Sequence, residues 1–273
     1  VIAHGMAEHA DRYDDFAKFL NKAGYIVLAD NHRGHKFNPD GDLGKVAPDS
    51  FENSVKDIKA VVDYAKETYA AEVLLFGHSY GSFLSQRYLE LYADTLKGCV
   101  LSGTAYMRGA LVGMGKAVAA VQRLFIGGNR TGKLIDKLSF GAYNKPFVSQ
   151  GQRFAWLSRD REKVAEYESD EYCGYPLSID YYYYFFCSIQ KMYGDRAKAI
   201  PKDLPILIAI GSDDPVSNKG VLAEKLYKYY LQYGLNVEYK CYPGARHEIL
   251  NETNRQEVYA DMEAFIDKAF DRR

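Results

Sequence analysis

The stretch Val73-Leu74-Leu75-Phe76-Gly77-His78-Ser79-Tyr80-Gly81 decides the fold. Four apolar residues, typical of a buried strand, lead directly into a Gly-x-Ser-x-Gly motif. A helical pattern follows, with apolar residues at Leu84, Tyr88 and Leu91. A sharp turn between a strand and a helix exposes the serine hydroxyl, and the flanking glycines leave room for that turn. The segment therefore predicts a nucleophile at Ser79, and a plain turn with a helix-capping serine is the alternative.

Further apolar runs on both sides of this motif extend the pattern. They occur at 25–29, 99–101 and 206–210, and an alternating run follows at 237–242. Continuous apolar runs suit parallel strands buried on both faces, whereas an alternating run suits an edge strand with one solvated face. Amphipathic helical patterns separate the runs, one of them behind a candidate cap at Ser54. This alternation predicts an α/β protein with a doubly wound, mostly parallel sheet.

The alternation stops near Thr104 and resumes after Lys202, with apolar helical stretches and loops between them. We therefore expect a helical insertion at 105–202 in an α/β core made of 1–104 and 203–273. For the apolar stretch at 111–125, a helix in the core is favoured and a helix that touches a membrane is the alternative. The aromatic run at 181–186 suits either the lining of a pocket or packing between the insertion and the core.

Composition excludes several classes of protein. The 273 residues carry a net charge of -1, with 47% hydrophobic and 26% charged residues, which gives no electrostatic case for nucleic-acid binding. No apolar run approaches the ~20 residues of a membrane helix. The spacing of the four cysteines matches neither a zinc site nor a redox pair, so we interpret them as reduced packing residues. These features suit a cytoplasmic globular protein.

The first residues, Val1-Ile2-Ala3-His4, already have the pattern of a core strand, and no initiator methionine precedes them. We therefore expect an upstream stretch to be missing, and a targeting segment there would escape notice.

A serine nucleophile needs a base and an acid that orients the base, and in this kind of fold they follow in the order Ser, Asp/Glu, His. His247 is the only histidine after Ser79, and it lies in a loop that follows the last strand. Two aspartates compete for the acid, because Asp213 and Asp214 both follow the strand at 206–210. Asp214 is favoured, and Asp213 is more easily explained as a turn or capping residue.

Backbone N–H groups would stabilise the oxyanion that forms when the serine attacks. One is the amide of Tyr80, the residue after the nucleophile. The second is expected in the loop after the first strand, His4-Gly5-Met6, and we assign it to the amide of Met6.

Signals for a cofactor are weak. The segment at 127–133 is similar in sequence to a phosphate-binding loop. However, the next residue is Leu134, whereas such a loop needs a Ser or Thr there to bind magnesium. The histidine pairs His32/His35 and His4/His9 have no convincing third ligand. We therefore expect neither a metal nor any other cofactor.

Together, five stretches resemble the α/β-hydrolase fold and, within it, the lysophospholipase and monoacylglycerol lipase group. They are His4-Gly5-Met6-Ala7-Glu8-His9, Asp30-Asn31-His32-Arg33-Gly34-His35, Gly77-His78-Ser79-Tyr80-Gly81, Gly211-Ser212-Asp213-Asp214 and Arg246-His247-Glu248. The resemblance places Asp214 at the family's triad acid and makes 105–202 similar to a cap that follows the sixth strand of the fold. The family's usual glycine is replaced by Lys36, and Asn31 replaces an acidic or aromatic residue.

The resemblance implies a serine hydrolase that cleaves carboxylic esters through an acyl-enzyme, with a monoacylglycerol or lysophospholipid as substrate. A small-ester carboxylesterase is the main alternative. An aminopeptidase is disfavoured because His4-Gly5-Met6 lacks the His-Gly-Gly-Pro loop of proline-specific enzymes, and a non-catalytic binding module usually lacks a triad member. We expect a small-molecule or monoacyl lipid ester as partner, with transient membrane contact through the cap, while the oligomeric state stays open.

Overall fold

A computed structural model describes residues 1–37 and 42–272. Its centre is a parallel sheet of five strands in the spatial order β1-β2-β3-β4-β5. The strands are β1 (Ile2–Ala3), β2 (Leu74–His78), β3 (Gly98–Ser102), β4 (Ile206–Gly211) and β5 (Val237–Tyr242). The three central strands are buried along their whole length, whereas β5, at the edge, is partly exposed. The predicted parallel α/β sheet is therefore confirmed.

Helices cover both faces of the sheet. They are α1 (Asp14–Lys22), α2 (Ser50–Tyr69), α3 (Tyr80–Tyr92), α8 (Val221–Gln232) and α9 (Arg255–Ala269). Successive residues of a strand point to opposite faces. Leu75 belongs to the apolar cluster that includes residues of α2, α3 and α8, whereas Leu74 and Phe76 belong to the cluster that includes residues of α1 and α9. This arrangement is the predicted doubly wound layering, and it buries the sheet between two apolar layers.

Two local predictions are wrong. The run Tyr25–Ala29 forms no strand, because β1 beside it has only two residues and pairs with it through a single bridge between Ile2 and Ala29. The helix α2 begins at Ser50, four residues before the expected cap at Ser54. Ser54 lies inside that helix and is fully buried, so burial rather than capping explains it.

Between β3 and β4 the chain forms α4 (Ala110–Ile126), α5 (Lys133–Phe140), α6 (Arg161–Ser169) and α7 (Ile179–Ile189). Among the described residues of this segment, the only strand-like pairing is an isolated bridge between Thr131 and Ser178. We call residues 105–202 the insertion. Its place after the sixth strand of the family fold stays a prediction, since β3 is the third strand described here.

The helix α4 differs from the favoured prediction of a core helix. Its side chains at Val112, Ala119 and Gln122 are buried, but Leu111, Leu124 and Phe125 are about 80% exposed. The helix packs on α7 through one narrow face and presents a second apolar face outward. The interpretation as a buried helix is therefore wrong for that outer face.

The aromatic run lies on α7 and supplies packing. The Tyr181 ring lies 5.3 Å from the ring of Tyr80, and the Phe185 ring lies 5.8 Å from Phe51 and 5.6 Å from Phe83. These contacts join the insertion to α2 and α3, so packing between insertion and core explains the run.

None of the described helices is both long enough and apolar enough to cross a bilayer.

Candidate active site

Ser79 occupies the turn between β2 and α3 and has an unusual backbone conformation. Its φ and ψ are 51° and −116°, a region that costs an ordinary residue on the order of 1–3 kcal/mol. The surrounding backbone holds it there: the Ser79 amide donates to the Ser102 carbonyl at 2.9 Å, and its carbonyl accepts from the amides of Ser82 and Phe83. The predicted strand–turn–helix setting is present, and the strain falls on the serine itself.

The two glycines of the motif, Gly77 and Gly81, lie where a side chain would clash with neighbouring atoms. A Cβ atom at Gly77 would lie 2.2 Å from the Ser85 hydroxyl oxygen. At Gly81 it would lie 2.0 Å from the Ala3 carbonyl oxygen and 2.6 Å from that of His4. The turn therefore lies directly against the backbone that leads into the loop at His4-Gly5-Met6.

His247 and Asp214 form a buried pair. The Nδ1 atom of His247 lies 2.9 Å from Asp214 Oδ1, and both side chains are at most 2% exposed. The same carboxylate oxygen accepts from the Val216 amide at 2.9 Å. Because a carboxylate only accepts, Nδ1 carries the proton and Nε2 is left as the basic nitrogen.

The competing aspartate is placed differently. Asp213 is partly exposed, and its amide donates to the Ala245 carbonyl at 2.9 Å. Within the described residues, its carboxylate accepts no hydrogen bond. The structure thus brings Asp214, and not Asp213, to the imidazole, which favours Asp214 as the orienting acid.

Burial lowers the pKa of His247, but the charge of Asp214 and its hydrogen bond outweigh burial, so the pKa is raised overall. Only the neutral imidazole can accept a proton from Ser79. Activity should therefore be present above this pKa and lost below it.

We expect kcat/KM for a soluble ester to fall about tenfold per pH unit below a pKa that lies above the usual ~6.5 of histidine. The pH–rate profile of the free enzyme measures this value. In Asp214→Asn the apparent pKa should drop, because the amide removes the negative charge. Far-ultraviolet circular dichroism reports whether the fold persists at each pH, and an unchanged pKa in the variant would contradict the assignment.

Two backbone amides face no protein acceptor. In the described part of the chain, neither the Met6 amide nor the Tyr80 amide donates a hydrogen bond to the protein. Tyr80 is the first residue of α3, where amides lack intrahelical partners and the helix dipole favours an anion. Both amides are therefore free of protein acceptors in the described structure, and their assignment to an oxyanion hole stays a prediction.

Buried histidines anchor the loop that carries Met6. His4 Nε2 accepts from the His32 amide at 3.0 Å, and its Nδ1 donates to the Gly5 carbonyl at 2.7 Å. His35 Nε2 accepts from the Ala7 amide at 3.1 Å. Burial lowers the pKa of His4 well below its usual value and that of His35 to about 3. Both histidines thus stay neutral and join the stretches 4–7 and 30–35.

A buried ionic network links this loop to the loop of His247. Arg12 contacts both oxygens of Glu248 at 2.6 and 2.7 Å and also bonds Glu8. Glu8 in turn accepts from the Gly5 amide and from the Tyr13 hydroxyl. Burial raises the pKa of Glu248, but the Arg12 charge outweighs it and holds that pKa at about 2. Sequence reasoning missed this network, although Glu8 and Glu248 lie inside two of the quoted motifs.

Arg12→Gln should lower the free energy of unfolding by about 3–5 kcal/mol, because it leaves two buried carboxylates without their cation. Urea unfolding measures this difference. Arg33→Gln is the matched control, since the Arg33–Asp57 pair is about one-third exposed and should cost no more than ~1 kcal/mol. Equal losses in the two variants would show that the Arg12 network stabilises no more than a surface ion pair.

The insertion holds the histidine loop from the other side. Arg246 donates to the carbonyls of Ala155 and Ser158 at 2.6 and 2.9 Å, and the Glu248 amide donates to the Leu157 carbonyl at 2.8 Å. The Trp156 ring lies 5.1 Å from the imidazole of His247. The residues on both sides of His247 are therefore fixed by the insertion, which covers the imidazole.

Among the residues that the structure describes, one group of side chains brings possible metal ligands together. Ligand atoms of His9, Asp170 and Cys173 lie within 4.8 Å of one another. His9 Nε2 and Asp170 Oδ2 already bond each other at 2.8 Å. In each of the two histidine pairs considered in the sequence, one member has both ring nitrogens bonded to protein groups: His4 in the pair with His9, and His35 in the pair with His32.

Comparison with known families gives a match over nearly the whole chain. The model of the serine aminopeptidase, S33 family matches residues 1–254. The chain belongs to this family. The match includes every residue of the candidate site: the turn at Ser79, the His247–Asp214 pair and the amides of Met6 and Tyr80.

Relatives of this S33 chain include ester hydrolases. A monoacylglycerol lipase from Mycolicibacterium smegmatis is 28% identical to this chain. The alignment covers 97% of this chain and 86% of the lipase. A thermostable carboxyl esterase from Bacillus coagulans, solved with glycerol, is 28% identical with a TM-score of 0.89, over 98% of this chain and 88% of that chain. A monoglyceride lipase variant from Saccharomyces cerevisiae, solved with a substrate analog, shares the fold with a TM-score of 0.73 at 20% identity, over 98% of this chain and 85% of that chain.

These similarities confirm the predicted α/β-hydrolase fold and the predicted resemblance to monoacylglycerol lipases. They also support the predicted serine hydrolase of carboxylic esters, and the esterase alternative is equally consistent with them.

Proposed function

We propose that this chain hydrolyses the ester of a monoacyl lipid, a monoacylglycerol or a lysophospholipid, through an acyl-enzyme on Ser79. The observation that carries the proposal is the buried bond between His247 Nδ1 and Asp214 Oδ1, in a chain whose candidate serine occupies a strained turn. The lipid substrate is supported by the names of the relatives, monoacylglycerol lipase and monoglyceride lipase.

In the proposed mechanism, Ser79 Oγ attacks the ester carbonyl carbon while His247 Nε2 accepts the hydroxyl proton. Asp214 accepts from Nδ1–H, which holds that tautomer, and it stabilises the imidazolium. The carbonyl oxygen becomes an oxyanion, to which the amides of Met6 and Tyr80 donate. The alcohol leaves with the proton from His247, and the acyl group remains on Ser79.

Water completes the cycle. His247 Nε2 takes a proton from the water, whose oxygen attacks the acyl carbon. The bond between the acyl carbon and Ser79 Oγ then breaks, the fatty acid leaves, and His247 returns the proton to Ser79 Oγ. The insertion at 105–202 is part of the proposal as a cap over a core of 1–104 and 203–273, with transient contact to a membrane surface. Two of its aromatic rings lie on the side of His247: the Trp156 ring lies 5.1 Å from the imidazole, and the Tyr143 ring lies 5.2 Å from Trp156.

A substrate series tests the proposal. We expect kcat/KM to rise from acetyl to dodecanoyl p-nitrophenyl esters and monoacylglycerols to be cleaved, since apolar surface contributes binding free energy with each methylene. A steep preference for acetyl or butyryl esters would favour the carboxylesterase instead. An aminoacyl p-nitroanilide added to the series tests peptidase activity, for which turnover faster than that of every ester would contradict the proposal.

A further inference from the structure

Three side chains that can each ligate a metal meet outside the candidate active site. Ligand atoms of His9, Asp170 and Cys173 lie within 4.8 Å of one another, and we call these three residues the His9 cluster. His9 belongs to the loop that follows β1, whereas the other two follow α6 in the insertion. His9 and Asp170 are separated by 161 positions in the chain, so no local pattern of the sequence predicts that they meet.

A tight turn brings the two insertion residues of the cluster together. The Cys173 amide donates to the Asp170 carbonyl at 3.1 Å, which closes a four-residue turn. The Tyr172 amide donates to Asp170 Oδ1 at 2.8 Å, while Asp170 Oδ2 lies 2.8 Å from His9 Nε2. Cys173 is a buried free thiol. The turn therefore holds a carboxylate oxygen and a sulfur beside one imidazole.

The second ring nitrogen of His9 is the observation that points to a cation. Among the described residues, this buried Nδ1 has no hydrogen-bond partner, although the Asp11 carboxylate lies 3.6 Å from it. Nε2 carries the proton, because it bonds a carboxylate. A metal on Nε2 would move that proton to Nδ1, which could then donate to Asp11. A carboxylate that accepts from a ligating histidine is the usual outer partner in zinc sites.

The cations near the cluster are already compensated. Lys36 is paired with Asp11 at 2.7 Å, and Arg12 is paired with the two glutamates of the buried network. Within the part of the chain that the structure describes, Asp170 forms an ion pair with His9 alone. The Asp170 carboxylate is therefore available to a metal ion.

We propose that the His9 cluster binds one zinc ion. Thiolate, imidazole and carboxylate are the ligands that zinc takes in proteins, and a thiolate disfavours the hard cations magnesium and calcium. The Cys173 thiol releases its proton to water when it binds the ion. A water molecule takes the fourth position, on the side where the Asp170 side chain is 31% exposed. His9 Nε2 and Asp170 Oδ2 separate by about 0.5 Å so that each lies ~2.0–2.1 Å from the ion.

The zinc ion would join the insertion to the loop that carries Met6. Two hydrogen bonds already link these segments, since the Ala7 carbonyl accepts from the Gly174 amide and from the Tyr167 hydroxyl, both at 2.9 Å. Zinc adds a further link between the same segments and should therefore stabilise the fold. The inference goes beyond the proposed function, because no residue of the His9 cluster takes part in the proposed mechanism.

Titration with cobalt(II) tests the proposal on the full chain, prepared without a histidine tag and treated with a chelator. Cobalt can replace zinc in such sites, and its bond to a thiolate gives a charge-transfer band in the near ultraviolet. We expect this band to saturate at one cobalt per chain. Zinc should remove the band, because tetrahedral sites with a thiolate favour zinc, whereas magnesium at the same concentration should leave it unchanged.

Variants identify the ligands. Cys173→Ser should abolish the band, and His9→Gln and Asp170→Asn should each weaken zinc binding by at least about 100-fold, since the loss of an outer partner already costs 10–100-fold. Asp11→Asn, which removes that outer partner, should weaken binding by about tenfold. Cys187→Ser is the matched control, because this cysteine also lies in the insertion but belongs to no group of ligands among the described residues. The control should bind like the parent.

Thermal unfolding gives a second readout. Zinc at 100 times its Kd should raise the Tm of the parent and of Cys187→Ser by about 5 °C and leave that of Cys173→Ser unchanged. Equal stabilisation by magnesium would contradict the proposal.

The parent chain decides the outcome even where a variant fails to fold, since the absence of a thiolate-to-cobalt band on the folded parent overturns the proposal. A band that Cys173→Ser retains, or that Cys187→Ser loses, also overturns it, because the ion would then lie elsewhere.

Discussion

Ser79→Ala is expected to lower kcat for ester hydrolysis by about 10⁴- to 10⁶-fold, because it removes the atom that forms the acyl-enzyme. Alanine keeps the Cβ atom, so the strained φ of 51° at this position is unchanged. The free energy of unfolding should therefore stay within ~0.5 kcal/mol of the parent, and steady-state kinetics with a soluble ester measures the loss.

The control for this variant is Ser169→Ala, which removes an exposed hydroxyl whose one hydrogen bond to a described residue is to the Glu166 carbonyl in α6. Its kcat should match that of the parent. Retention of more than a few per cent of the parent's activity in Ser79→Ala would rule out Ser79 as the nucleophile.

Asp214→Asn should lower kcat by about 10⁴-fold, the loss known when a triad acid becomes an amide. The amide can donate to His247 Nδ1, which stabilises the wrong tautomer and places the proton on Nε2. It also removes the negative charge that stabilises the imidazolium. The side chain volume is nearly unchanged, so the variant should fold.

Asp213→Asn is its matched control one residue away. The Asp213 side chain makes no hydrogen bond with a described residue and is partly exposed, so its kcat should change by less than about tenfold. The ratio of the two losses decides between the aspartates. A larger loss at Asp213 would contradict the geometry of the His247–Asp214 pair.

Much of this site follows from local sequence. The elbow could be predicted because strand, turn and helix are consecutive in the chain, and His247 because no other histidine follows Ser79. The choice between Asp213 and Asp214 needed geometry, since both follow the same strand. The contacts that hold the strained turn could not be read from the motif: the Ser79 amide donates to the Ser102 carbonyl, and Gly81 lies against the Ala3 backbone.

Long-range contacts explain the other differences. Arg12 and Glu248 are separated by 236 positions, and no local pattern indicates that they meet. The run at 25–29 has the composition of a strand but only one bridge to β1, because a strand depends on its neighbour as much as on its own residues. The outward face of α4 is apolar although no described residue covers it. Hydrophobicity alone therefore predicted its burial wrongly.

The most direct test of the central claim is to treat the intact protein with a fluorophosphonate and to map the adduct by peptide mass spectrometry. We predict a single adduct on Ser79 at a pH above the pKa of His247. Labelling should be lost in Ser79→Ala and strongly slowed in Asp214→Asn. An adduct on a different serine, or no adduct at all on the folded protein, would contradict a serine hydrolase built on Ser79, His247 and Asp214.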